Sequence, residues 1–262
     1  MSAIATRDED GVRVITLTQP EIRNAITGEE MLDQLLDALD EAETDPVTSV
    51  VVIDAEGPAF SAGGNIKDMV AREGIFSGTP AQMVESYRDT IQQLTRFLAT
   101  TDLVTIASVN GPAVGAGFDL VLGCDLRFGS RNARFAHTFI EMGIIPGDGG
   151  AWLLPRVVGW QRATELALTA RFITSAEAES YGVLLEVVPE DKLTDRVMSV
   201  AKSIASKPQP AVVMAKRLLR QARTMELDGF LELSAALQAI AHTTPEHESA
   251  VSEYVEKIKD RD

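Results

Sequence analysis

Apolar positions along the chain recur at two spacings, and the spacing changes element by element. Val12-Arg13-Val14-Ile15-Thr16-Leu17 reads as a strand bounded by Gly11 and Pro20. Met31, Leu32, Leu35, Leu36 and Leu39 then recur at helical spacing, behind a capping-box pattern formed by Thr27 and Glu30. Val50-Val51-Val52-Ile53 is a short apolar run closed by Glu56-Gly57-Pro58, the signature of a strand buried on both faces. A second long helix is predicted over 81–99, with Met83, Tyr87, Ile91, Leu94 and Leu98 inward. A buried strand over 103–109 ends in Asn110-Gly111-Pro112, and a short helix follows Gly115-Ala116-Gly117-Phe118-Asp119. Leu126-Arg127-Phe128 and Ala133-Arg134-Phe135 read as short strands, and the glycine-rich turn 143–150 leads into a helix. Strand signals end at 183–188. After Pro189 the pattern is helical throughout: 192–206, 210–223, 227–241 and 245–258. Strands alternating with helices predict an α/β core with parallel strands. The C-terminal helical third reads as an appendage, jointed at Pro208 and Pro210.

Composition narrows the function classes. With 262 residues the chain suits one large domain, or one domain with an appendage. Lys plus Arg number 24 against 39 Asp plus Glu, a formal net charge of −15, which argues against nucleic acid or an anionic membrane as the main partner. A few local cations still suffice to hold one phosphate-bearing ligand. The single cysteine, Cys124, excludes an intramolecular disulfide framework and a multi-cysteine zinc site. His137, His242 and His247 offer no metal pair, so no metal site is expected. The first ten residues are polar and show no signal peptide, and no apolar run is long enough to cross a bilayer. A soluble cytoplasmic protein is the expectation.

Two segments share one design, a buried strand, a loop of small residues and then a helix: Phe60-Ser61-Ala62-Gly63-Gly64-Asn65-Ile66-Lys67 and Gly111-Pro112-Ala113-Val114-Gly115-Ala116-Gly117-Phe118-Asp119. Small residues admit a ligand to the main chain, and helix N-termini leave N–H groups unpaired. Two such groups converging on one point would form an oxyanion hole; tight strand–helix packing accounts for the same glycines.

With Asn24-Ala25 ahead of these loops and Gly143-Ile144-Ile145-Pro146-Gly147-Asp148-Gly149-Gly150 behind them, the chain resembles the enoyl-CoA hydratase/isomerase (crotonase) superfamily. Residues 171–182 also resemble the family segment that follows, so the likeness spans roughly 10–190. It implies a spiral of ββα units over 1–190 carrying an acyl-CoA site. A helical trimerisation region over 191–262 would follow, assembled as a homotrimer or a dimer of trimers. It also implies backbone donors at Ala62 and Ala116 for the thioester oxygen of an acyl-CoA. Such a pair would hold the enolate formed when a proton leaves or water adds, each donor being worth about 3 kcal/mol. Alanine in place of glycine at 116 keeps the N–H. By the same resemblance Arg23 and Lys67 lie near the CoA phosphates and adenine, with Gly64, Asn65, Ile66 and Gly115 forming the rest of the binding loops. Coenzyme A is then part of the substrate, and no redox or metal cofactor is implied.

The acid–base residues depart from the family pattern. Family hydratases carry two glutamates; here the first position holds Asp119 and the second Phe139, which cannot carry a proton. Glu141 shares a face with Phe139 only if the segment is a strand. Asp148, in the glycine turn, matches the place where some branches, including dienoyl-CoA isomerases, keep a working aspartate. A helix N-cap explains Asp148 equally well, and a favourable helix macrodipole explains Asp119. His137 reads as a structural histidine. Hydration of a 2-enoyl-CoA is the leading expectation, with double-bond isomerisation, or another reaction of that family, by Asp119 and Asp148 next. A non-catalytic acyl-CoA-binding protein is the third. RNA binding is disfavoured by the charge, and no Ser/His pair suggests a peptidase of this fold type.

Overall fold

The computed structural model describes residues 2–259. Its main sheet has the order β1 (Ile4–Glu9), β2 (Val12–Leu17), β3 (Val50–Ala55), β4 (Val104–Val109), β6 (Leu126–Ser130) and β9 (Glu186–Val188). The first pair is antiparallel and the rest are parallel. A smaller sheet pairs β5 (Pro112–Val114) with β7 (Arg134–Ala136) and β8 (Ile173–Thr174). Between the strands run α1 (Glu29–Thr44), α2 (Ile66–Ala71), α3 (Pro80–Asp89), α4 (Ile91–Thr100), α5 (Ala116–Gly123), α6 (Gly150–Val158), α7 (Trp160–Thr169) and α8 (Ser175–Ser180). The chain closes with α9 (Leu193–Ala205), α10 (Gln209–Gln221), α11 (Leu227–Ala241) and α12 (Pro245–Lys259). Twice the chain passes from the large sheet to the small one and into a helix, as β4–β5–α5 and as β6–β7–α6, so this α/β fold is the spiral of ββα units expected.

Both faces of the parallel strands are covered, which is why they read as unbroken apolar runs. Val12, Val14, Val50, Val52, Val104 and Ile106 point to one face and pack under α9 through Leu193, Val197 and Ala201. Ile15, Leu17, Val51, Ile53 and Ala107 point to the other, where α1 and α4 lie. Thus α9 packs as part of the core, whereas α10, α11 and α12 bury no residue completely. Among the described residues the last buried one is Ala201 on α9, ahead of Pro208, the first of the two prolines that mark the joint.

Three local expectations change. The N-terminal strand β1 is a solvent-facing edge with only Ile4 buried, so it carries no apolar alternation to detect. The long helix over 81–99 is two helices, broken at Thr90 (φ −124°, ψ −102°), whose hydroxyl donates to the Ser86 carbonyl at 2.5 Å. Thr27 does not cap α1, whose N-cap is Gly28 without a side-chain bond; its hydroxyl instead accepts the Asn65 N–H at 2.8 Å. Among the described residues no helix is long and apolar enough to cross a membrane.

Candidate active site

The two glycine loops are stitched together by backbone. Phe60 and Ser61 donate to the Pro112 carbonyl, and Val114 donates back to Ser61 at 2.9 Å, a short parallel bridge centred on Ser61 and Ala113. Gly63 makes the contact possible. Its φ is +78°, and a Cβ there would stand 2.3 Å from the Val114 carbonyl and 2.8 Å from the Ala116 nitrogen. Asn24 holds the loops from behind. Fully buried and left-handed (φ +51°), it donates to the Glu56 and Ala59 carbonyls and accepts the Gln19 N–H.

Accounting for each N–H in the first loop locates the free donor. Ala62 donates to the Arg23 carbonyl at 2.8 Å, Gly63 to the Ser61 hydroxyl at 3.1 Å and Asn65 to Thr27. Only Gly64, within 60–65, gives its N–H to no group among the described residues. The amide of Ala62, the donor expected from the sequence, is spent on the turn that carries Arg23, and the free amide of this loop is that of Gly64. In the second loop Gly115 donates to Ala136, and Ala116, first residue of α5, keeps its N–H free as a helix N1 residue does. Gly64 and Ala116 line the same cavity, of about 340 Å³, with Ala62, Gly115, Arg23 and Ile66.

Of the other expected binding residues, Asn65 caps α2 by accepting the Lys67 N–H at 3.1 Å, and Lys67 is exposed; neither borders the cavity. Phe139 does, with its ring facing Gly115. It sits in a 3-10 turn, Thr138–Met142, so Glu141 does not share its face in the way a strand would allow; Glu141 is exposed at the cavity's edge. Sequence reading missed the cavity role of Tyr87. Its phenol is pushed up by burial and by the charge of Asp148.

Asp148 is not the N-cap of α6, a position held by Gly149 without any side-chain bond. It is buried, borders the cavity, and its Oδ1 has no hydrogen-bond partner among the described residues. Its turn is clamped from α4, where the Thr95 hydroxyl donates to the Asp148 carbonyl at 2.5 Å and Gln92 donates to Gly147 at 2.8 Å. The break at Thr90 sets the direction of α4 and so the reach of these two side chains.

Asp119 lies behind Asp148, buried and outside the cavity lining. Its carboxylate presses on the Gly150 backbone so closely that a Cβ there would sit 2.2 Å from Oδ1. Burial pushes Asp119 up to about 7, opposed by a hydrogen bond with Asp148 and by the Gly150 amide. Asp148 is pushed well above the usual carboxylate range by burial and then by the neighbouring Asp119. Two neighbouring buried carboxyls cannot both ionise cheaply, so they hold a proton between them at neutral pH. The sequence placed both aspartates near the chemistry; the structure brings them into one pair.

The chain is similar to known proteins over nearly its whole length. The family model described as enoyl-CoA hydratase/isomerase matches residues 7–261. The chain is 32% identical to 1,2-epoxyphenylacetyl-CoA isomerase of Escherichia coli (strain K12), covering 98% of this chain and 97% of that one. It is 31% identical to 2,3-dehydroadipyl-CoA hydratase of the same strain, with the same coverage. The crystal structure of enoyl-CoA hydratase from Bacillus anthracis superposes with a TM-score of 0.90 at 28% identity, covering 97% of this chain and 96% of that one.

Proposed function

The chain belongs to the enoyl-CoA hydratase/isomerase family, whose members process acyl-CoA thioesters, and we propose that its own reaction is the addition of water to a 2-enoyl-CoA. The observation that carries this reading is the pair of unspent amides, Gly64 and Ala116, on the wall of the cavity that Asp148 borders. The thioester oxygen accepts from both, and the negative charge that grows on it in the enolate strengthens both bonds. One proton leaves the Asp119–Asp148 pair for the α-carbon. One returns from the water that bonds to the β-carbon, so the pair begins and ends with the same proton count. Arg23 at the cavity wall and Lys67 on α2 supply positive charge for the CoA phosphates of an otherwise anionic chain. The steps call on no metal or redox group, and coenzyme A enters only as part of the substrate.

A second reading, migration of the double bond, is favoured by one observation: Phe139 fills the place of a second cavity-facing carboxylate, leaving Asp148 as the member of the pair that borders the cavity. A single carboxylate can shuttle one proton between two carbons. Crotonyl-CoA in deuterated water separates the two readings. Hydration yields a 3-hydroxyacyl-CoA deuterated at the α-carbon, and Asp148→Asn abolishes it with binding retained. Conversion of a 3-enoyl-CoA without hydration selects the second reading. Thioester binding with no α-proton exchange reduces the protein to a carrier and overturns both.

We place the acyl-CoA core in residues 1–190 and an assembly region in 191–262, with α9 bridging the two. A homotrimer or a dimer of trimers is supported by exposed apolar side chains on the last two helices, Leu227, Leu231, Ile240, Val251 and Tyr254. Sedimentation giving a monomer at micromolar concentration would remove the assembly proposal.

A further inference from the structure

His137 belongs to no step above, yet it is buried against the carboxyl pair. It follows β7 and precedes the 3-10 turn, and its side chain has no exposed surface. Its Nε2 lies 2.5 Å from Asp119 Oδ1. Its ring meets Phe118 and Phe139 edge-on, at 5.5 and 5.3 Å between centroids. A second cavity, of about 260 Å³, touches it from the side of α6 and α7, walled by Leu154, Pro155, Trp160 and Leu168.

Three buried polar atoms here lack a partner among the described residues: His137 Nδ1, Asp119 Oδ2 and Asp148 Oδ1. A neutral imidazole has one N–H and one bare nitrogen. A carboxylate oxygen at 2.5 Å from Nε2 places the N–H there, leaving Nδ1, which has no donor beside it among the described residues, as the bare nitrogen. Asp119 Oδ1 then has its donor. A proton carried by Asp148 gives Asp119 Oδ2 its partner and leaves Asp148 neutral at the cavity wall. The reverse arrangement, Asp119 protonated toward His137, puts the N–H on Nδ1, where it has no acceptor among the described residues, and leaves Asp119 Oδ2 without a donor.

We propose that His137 is a positioning residue that sets the direction of the proton in the pair: by donating Nε2–H to Asp119 it makes Asp119 the ionised member and Asp148 the protonated one that meets the acyl group. The proposal rests on the acyl-CoA reading of the cavity for its consequence, but not for its geometry. Burial also keeps the imidazole neutral, pushing it down to about 4. The titratable and charged groups around the pair are Asp119 on α5, Asp148 ahead of α6, His137 after β7, Tyr87 on α3, Arg23 at the cavity wall and Glu141 at the cavity's edge. The α6 and α7 residues bordering the second cavity include none.

Two measurements test this. Long-range proton–nitrogen NMR on the three-histidine chain reads the tautomer without any substrate. A neutral Nε2–H form at pH 7 is expected, and an Nδ1–H form or an imidazolium would overturn the proposal whatever the enzyme does. The pH profile of kcat/KM reads the consequence. His137→Leu removes the donor, so Asp119 ionises less readily and the acid limb moves up by about one pH unit or more. His137→Gln, whose amide replaces Nε2–H, moves the limb back toward wild type. A folded His137→Leu protein with an unshifted limb, or a shift that glutamine fails to reverse, reduces His137 to packing and sinks the idea. If wild type shows no turnover, the functional reading fails while the tautomer result still decides this one.

Discussion

Replacing Asp119 by asparagine removes a buried ionisable group without changing its shape, and the structure sets the size of the response. Asp119 stands at about 7 in the folded protein against 3.8 for the free group, burial being the main cause. A group whose pKa is raised by folding binds more protons in the native state than in the unfolded one between those two values. Stability from this source is therefore whole below about pH 4 and is lost as pH rises through 7. At about 1.4 kcal/mol per unit the whole loss is about 4 kcal/mol, of which about 3 kcal/mol falls between pH 5 and pH 8.5, an upper bound because Asp148 shares the titration. Asparagine keeps an acceptor for His137 and carries no charge, so Asp119→Asn escapes this loss. The assay is denaturant unfolding of both proteins at pH 5 and pH 8.5, taking the difference of the two differences. The rest of the −15 charge is common to both proteins except for this one group. The wild type should lose clearly more stability than the variant on going to pH 8.5. Parallel losses would mean that Asp119 is not held in a dry, protonated pair, and the proton arithmetic of the site would fail with it.

Other outcomes follow from the same geometry. Gly150→Ala places a Cβ 2.2 Å from the Asp119 carboxylate at the start of α6, so calorimetry should show destabilisation by about 1–3 kcal/mol even though alanine is the better helix former. A stabilised Gly150→Ala would contradict the packing of the pair. Asn24→Ala loses two donations and one acceptance in full burial, and about 3 kcal/mol of stability on chemical unfolding, with turnover falling because the Arg23 turn and the first loop come apart. A loss below 1 kcal/mol would show that the loop does not depend on it.

Much of this architecture is legible from residue pattern because its causes are local. The run 50–53 is apolar without alternation because α1 and α9 cover both faces of β3, and 227–241 coincides with α11. The polar strand β1 is invisible for the opposite reason, since an edge facing water needs no apolar side. The break at Thr90 and the loss of the Thr27 cap are tertiary effects: each hydroxyl found a partner that spacing cannot reveal. The site divides in the same way. The glycine loops and both aspartates stand out as residue types, and the resemblance put them in order. Which amide is free does not stand out, because it depends on the Arg23 carbonyl turning toward Ala62 and leaving Gly64 unspent. His137 was equally hidden: its place beside Asp119 comes from β7 and α5 meeting across 18 residues of chain.

Whether unspent backbone amides hold the thioester oxygen is decided at Ala116. This residue is the first of α5, where proline fits the helix and removes only an N–H that no helix bond uses. Ala116→Pro should keep the fold and bind the CoA ester, while kcat falls by about 10²–10³ as expected for one lost donor. A folded Ala116→Pro enzyme that turns over at the wild-type rate would contradict it.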